Sequence, residues 1–176
     1  MVLYRRNRVV GGTYFFTVTL RDRSSALLVE CIDELRAAFR DAKRARPFRI
    51  EAMVVLPEHL HAIWTLPRDD DDYSGRWRVI KARFTRSLAE SGVGIRCNPK
   101  GEYDLWQRRF WEHTLRDEAD LRRHVEYIHF NPVKHGWVTQ VRDWPYSTFH
   151  RYVRAGIYPL DWAGDSLAIE ASGFGE

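Results

Sequence analysis

The feature that most constrains this chain's fold is a pair of apolar segments, residues 48–56 and 59–66, separated only by Pro57-Glu58. Both read as strands, and a turn that tight folds them into a β-hairpin. What flanks the hairpin then sets the topology. Before it comes Thr13-Tyr-Phe-Phe-Thr-Val-Thr-Leu20, a β-branched and aromatic strand. It is followed by a helical segment that Ser24 or Ser25 can cap, with Leu28, Ile32, Leu35 and Phe39 stepping along one face until Pro47 ends it. After it comes an acidic loop, Asp69 to Asp72, suited to a helix N-terminus. A helix over about 74–90 buries Trp77, Ile80, Phe84 and Leu88. A Gly- and Pro-bearing loop (92–104), a fourth strand (105–115) and a helix from Asp117 to about residue 130 follow, the last stopped by Asn131-Pro132.

The order β-α-β-β-α-β-α predicts an α+β fold. Its first six elements match the ferredoxin-like pattern: one antiparallel sheet with helices on one face, and a further C-terminal helix added to it. If those helices cover the Leu60 side of the sheet, His59 and His61 stand on its open side. Residues 1–176 read as a single domain, with 137–176 an aromatic-rich tail packed on it.

Composition excludes some classes. No apolar run approaches the ~20 residues of a membrane span, and no apolar stretch follows the first residues as in a secretory signal. Cys31 and Cys97 are the only cysteines and form no ligand pair, so a disulfide framework or structural zinc is not expected. A reducing, cytoplasmic setting follows. Net charge is only +4, yet of 28 basic residues just four are lysine, Lys43, Lys81, Lys100 and Lys134. The arginines offer planar forks of donors suited to phosphate. An arginine-rich codon bias gives the same composition, so nucleic-acid binding is permitted by it, not established.

Two constellations carry chemistry. In His59-Leu60-His61 the histidines are two apart on a strand and share one face, where two imidazoles can hold a divalent metal. On the last helix Asp120, His124, Tyr127 and Asn131 step by 4, 3 and 4, along a face distinct from the apolar stripe of Leu121, Val125 and Ile128. Tyr127 is a candidate nucleophile once a metal polarises the group it attacks. Asn131, one turn on, offers an amide oxygen to the metal, and His124, one turn back, is the candidate proton acceptor. Taken singly, each pattern reads first as a solvated strand or helix face. Together they supply two imidazoles, an amide and a nucleophile, a set suited to phosphodiester cleavage.

The stretches Met53-Val-Val-Leu-Pro-Glu-His-Leu-His-Ala-Ile-Trp64, Trp106-Gln-Arg-Arg-Phe-Trp-Glu-His113, His124-Val-Glu-Tyr-Ile-His-Phe-Asn-Pro-Val-Lys-His-Gly136 and Asp143-Trp-Pro-Tyr-Ser147 resemble, in this order, the REP-associated tyrosine transposases. The resemblance spans about residues 4–164. It implies nicking and joining of single-stranded DNA at folded palindromic repeats, with Mg²⁺ or Mn²⁺ as cofactor. Tyr127 would form a 5′-phosphotyrosine, and His59 and His61 match the family's metal pair. Insertion-sequence relatives carry glutamine where this chain has Asn131, one methylene shorter. Hairpin DNA is the expected partner, the protein acting as monomer or homodimer near the nucleoid.

Arg76, Lys81, Arg83 and Arg86 on the second helix, and Arg108 and Arg109 on the fourth strand, are candidate phosphate contacts, with solvated charge the alternative. Glu58 could lie beside the metal or simply be exposed on its turn. A non-catalytic hairpin-binding protein and a metal-dependent phosphohydrolase without a covalent intermediate are the competing readings. The first has no need of the set His59, His61 and Tyr127; the second makes Tyr127 dispensable and leaves the arginines unexplained.

Overall fold

The computed structural model describes residues 7–164. The elements are β1 (Thr13–Thr19), α1 (Leu27–Glu30), α2 (Ile32–Ala45), β2 (Arg49–Val55), β3 (His59–Thr65), α3 (Tyr73–Glu90), β4 (Trp111–Thr114), α4 (Glu118–Lys134), a 3₁₀ turn (Val141–Asp143) and α5 (Phe149–Arg154). The strands form one sheet in the order β2-β3-β1-β4, with every neighbouring pair antiparallel. This is the ferredoxin-like order expected from the sequence.

The strand period of two divides the core. Tyr14, Phe16 and Val18 of β1, with Leu60, Ala62 and Trp64 of β3, face α2 and α3, where they meet Leu35, Phe39, Trp77, Ile80 and Phe84. Trp64 and Trp77 stack with centroids 4.1 Å apart. Burying each such side chain contributes about 1.5–3 kcal/mol before entropy is counted. Phe15, Val54 and Ile63 face the other way. They pack against Val125 and Ile128 of α4 and against Val141, Trp144 and Phe149 of the segment after it. The aromatic tail therefore closes on the domain as far as residue 164; residues 165–176 of that expectation lie outside the described residues.

The second sheet face is accordingly not open. Helix α4 covers it, and His59 and His61 are almost fully buried. Three boundaries also differ. The first helix breaks at Cys31 into α1 and α2. The fourth strand shrinks from 105–115 to Trp111–Thr114, because the preceding stretch meets the chain at the end of β1 in an isolated bridge, Leu20–Trp106, flanked by bonds from Gln107 N to Thr19 O and from Arg21 N to Leu105 O, and lies along α3, where Trp106 Nε1 donates to Thr85 Oγ1 at 3.2 Å.

Helix α4 does not stop at Asn131-Pro132. Proline costs a helix one N–H bond, and near a C-terminus that loss is small: His135 N still bonds Asn131 O at 3.0 Å. The chain leaves the helix at Gly136, whose φ of 71° is the left-handed conformation that ends helices and that glycine adopts without strain. This extra turn carries Lys134 and His135.

The starts of α3 and α4 are as the sequence suggests, whereas α1 follows Ala26, which makes no side-chain cap, and Ser25 Oγ only accepts from Leu27 N at 3.2 Å. Asp72 accepts from Gly75 N at 2.8 Å, and Asp117 accepts from Asp120 N at 2.8 Å. Each satisfies one of the N–H groups that a helix start leaves without an intrahelical partner.

Candidate active site

The site forms where β3 meets α4. His59 and His61 project together toward α4, with ring centroids 4.9 Å apart. The Tyr127 ring stands edge-on to His61 at 5.3 Å. Asp120, His124, Tyr127 and Asn131, the polar stripe of α4, are all buried. A solvated helix face would leave them exposed, so that reading is excluded.

Each histidine has its Nδ1 engaged. Glu58 Oε1 accepts from His59 Nδ1 at 2.8 Å, and Thr17 Oγ1 lies 2.9 Å from His61 Nδ1. Thr17 arrives through the sheet register, which sets Thr17 opposite His61 and Thr19 opposite His59. Glu58 is buried rather than exposed on its turn, and Arg23 Nη2 approaches its Oε1 at 3.4 Å. Burial pushes the Glu58 carboxyl up, but its bonds to His59 and the Arg23 charge outweigh this and hold it below its ordinary value. Orienting a metal-binding imidazole by a carboxylate or other oxygen on its far nitrogen is the usual supporting arrangement of such sites. His59 Nε2 is buried with no hydrogen-bond partner among the described residues. An orphaned buried nitrogen on an oriented imidazole fits a divalent cation. His59, His61 and Asn131, one turn after Tyr127 on α4, are the residues that would hold it.

Lys134 and His135 went unassigned in the sequence because α4 was expected to end before them. Lys134 Nζ lies 3.4 Å from the Tyr127 oxygen and 4.9 Å from the ring centroid. His135 is exposed, with its ring 5.3 Å from that of His59. These two line the solvent side of an otherwise buried site. The signal available in the sequence was the helical spacing of seven from Tyr127 to Lys134, two turns along one face.

His124 lies toward β4. Its Nδ1 is 2.8 Å from the Asp120 carbonyl, and its ring stacks on His113 at 5.0 Å. Burial lowers its basicity, so it is neutral near pH 7. His113, Asp120 and His124 bring potential ligand atoms within 4.8 Å of one another. We read this cluster as an ion-pair network instead of a metal centre, since Asp120 is already met by Arg116 and Arg123 at 3.3 Å each. His129 is packed: Nε2 bonds Thr148 Oγ1 at 2.9 Å, and burial drives its pKa down to about 3.

The candidate phosphate contacts separate. Arg76 is corrected: its side chain is 1% exposed and wholly engaged, with Asp70 Oδ2 and Pro47 O at 2.9 Å and Asp72 O at 3.0 Å. It fastens α3 to the acidic loop and to the α2–β2 connection and does not face solvent. Arg83 is exposed but bonds Asp41 at 2.7 Å. Lys81, Arg86 and Arg108 line one open groove, where Arg78 joins them, and Arg109 is exposed beside it.

An antiparallel ferredoxin-like sheet with a histidine pair facing a helical tyrosine defines a single-tyrosine transposase of the HUH type (histidine, bulky apolar residue, histidine). Comparison with known proteins makes this specific. The REP-associated tyrosine transposase of Escherichia coli K12 is 57% identical over 168 residues, which is 96% of this chain and 94% of that protein. A Haemophilus influenzae relative is 46% identical over 164 residues, 92% of this chain and 93% of its own length. A solved structure of a REP-associated tyrosine transposase bound to a REP hairpin superposes with a TM-score of 0.88 at 53% identity, covering 100% of this chain and 98% of that one. No family model matches. The chain belongs to the REP-associated tyrosine transposases, a family of DNA-processing enzymes.

Proposed function

We propose that this protein nicks and rejoins single-stranded DNA beside hairpin-forming palindromic repeats, through a covalent phosphotyrosine at Tyr127. The observation that carries the reading is the pairing of two oriented histidines, one with an orphaned Nε2, with a tyrosine edge-on to them. A pure hairpin binder has no use for that arrangement.

His59, His61 and Asn131 would hold Mg²⁺ or Mn²⁺. When bound, the ion neutralises a non-bridging phosphate oxygen and makes phosphorus more electrophilic. Tyr127 supplies the nucleophile: its oxygen bonds phosphorus as the bond from phosphorus to the 3′-oxygen breaks. The products are a 5′-phosphotyrosine and a strand ending in a 3′-hydroxyl, which takes its proton from water. A free phenol ionises only near pH ~10, so attack near neutrality needs help. His124, held neutral by burial, is the candidate base for the phenolic proton. The Lys134 ammonium, 3.4 Å from the phenol oxygen, stabilises negative charge there as it develops. In rejoining, a 3′-hydroxyl attacks the phosphotyrosine and Tyr127 leaves, with the same cation beside it.

The test is incubation with hairpin DNA from the gene's flanking repeats in Mg²⁺, followed by a search for a protein–DNA adduct. Wild type should form one at Tyr127. Tyr127→Phe should bind DNA and form none, and His61→Ala should bind but not cleave. An adduct mapped to Tyr103, Tyr146 or Tyr152 would overturn the assignment.

A further inference from the structure

A cleft of about 330 Å³ lies between α2 and the β2 edge of the sheet, walled by Leu35 and Phe39 of α2, by Ile50, Met53 and Val55 of β2 and by Tyr146. The α2 and β2 walls belong to the core on the sheet face opposite Tyr127. We propose that this cleft docks an extended acidic peptide segment of a partner protein. The segment adds beside Tyr146–Thr148, seats a large apolar side chain in the cleft and lays its carboxylates against Arg40 and Lys43. The proposal goes beyond the nicking reading and is independent of it.

The walls select an apolar group. Ile50 and Met53 are only half-buried and open onto the cleft beside fully packed Leu35, Phe39 and Val55. A volume of 330 Å³ stands at the low end of the roughly 300–1,000 Å³ of ligand clefts. It suits one or two large side chains.

The mouth selects negative charge. Arg36, Arg40 and Lys43 step by 4 and 3 along the exposed side of α2, and all three line the cleft. Arg36 is already met by Asp33 at 3.0 Å. Arg40 and Lys43 make no hydrogen bond or ion pair among the described residues; the Lys43 ammonium has the Phe48 ring, 5.9 Å from its centroid. No carboxylate lines the cleft. Cations beside an apolar slot, with no anion of its own to offset them, are complementary to an occupant that is both acidic and apolar. A phosphate backbone would meet the cations and leave the aliphatic slot empty.

The sheet edge selects a peptide. Ser147 bridges Val54 of β2 in antiparallel register, with Val55 N donating to Tyr146 O at 2.9 Å and Thr148 N to Met53 O at 2.8 Å. In such a pair the bonds come from the neighbouring residues, so the N–H and C=O of Ser147 point away from β2. Neither has a backbone partner among the described residues. An open edge pair is a template for an added strand: main-chain bonds fix its register, and alternate side chains fall into the pocket beside it.

The experiment measures binding of labelled, terminally blocked hexapeptides by fluorescence anisotropy, without DNA or metal. One peptide alternates leucine with glutamate. In one control serine replaces leucine, and in the other lysine replaces glutamate. The leucine–glutamate peptide should bind about 10-fold or more tighter than either control. Arg40→Glu combined with Lys43→Glu should reverse the order, making the leucine–lysine peptide the tighter ligand. Met53→Trp, which fills the cleft from β2, should abolish binding while Tm and hairpin affinity stay as in wild type. Equal binding of the serine peptide would mean unspecific attraction to a basic surface. Displacement of the peptide by hairpin DNA would make this a nucleic-acid surface, and competition from self-association would make it a contact between two copies. Each of these results overturns the proposal.

Discussion

Replacing Arg76 with methionine should unfold the protein more readily and leave the DNA affinity of the folded molecule intact. The guanidinium is 1% exposed and gives hydrogen bonds to Asp70, to the carbonyls of Pro47 and Asp72 and, at 3.3 Å, to that of Arg46. Methionine fills much of the same volume but supplies no donor. It takes a donor from each of those carbonyls and leaves the Asp70 carboxylate with the Asp72 N–H at 2.7 Å and the longer 3.4 Å contact to Arg46. Removing one partner of a buried ion pair costs about 3–5 kcal/mol. Against a typical total of about 5–15 kcal/mol that is a large share. At about 2–4 °C per kcal/mol for a chain this size, Tm should fall by roughly 6–20 °C. Urea unfolding, with hairpin affinity measured on the folded protein at low temperature, separates the effects. An unchanged urea midpoint together with a tenfold loss of DNA affinity would falsify this account and return Arg76 to the DNA surface.

Glu58→Ala frees the His59 ring, and Mn²⁺ affinity measured by calorimetry should drop about 10–100-fold; unchanged affinity would mean that Glu58 does not orient the ligand. Lys134→Met removes a charged hydrogen-bond donor worth about 1.5–3 kcal/mol beside the nucleophile, so adduct formation should slow roughly 10–100-fold with binding retained. A wild-type rate would show that the ammonium contributes nothing to attack. Asp70, chiefly through Arg76, and Asp120, where burial is outweighed by His113 and Arg116, both have pKa values lowered to about 2 from 3.8. Their stabilisation is therefore complete above the unfolded value and is lost as pH falls through about 2. Each should contribute about 2 kcal/mol that disappears between roughly pH 4 and pH 2. Urea midpoints that stay level across that window would contradict the depressed values.

Much of the architecture and half of the site were legible in the sequence because they depend on local periodicity. The period of two put His59 and His61 on one face whatever the rest of the chain did. The spacing of 4, 3 and 4 aligned Asp120, His124, Tyr127 and Asn131 on α4 in the same way. Asp72 and Asp117 cap helices through contacts three residues long. What failed locally did so through wider context. Pro132 reads as a stop, but so close to a C-terminus it removes little, and the helix runs on to place Lys134 beside Tyr127.

The sequence alone determined which side chains share a face, because that follows from backbone geometry within a few residues. Only the tertiary structure decided what each face meets. Helix α4 lies over the side of the sheet that strand patterning left open, which turns two surface-like motifs into one buried site. Thr17, 44 residues from His61, becomes its partner through strand register. Arg76 and Arg78 are chemically the same and two positions apart, and no local rule ranks them as DNA contacts. Their directions differ by about 200° around α3. That rotation turns one inward to Asp70 and the backbone of the α2–β2 connection and the other outward onto the groove, because the acidic loop and the Tyr103–Phe110 stretch pack on different sides of the same helix.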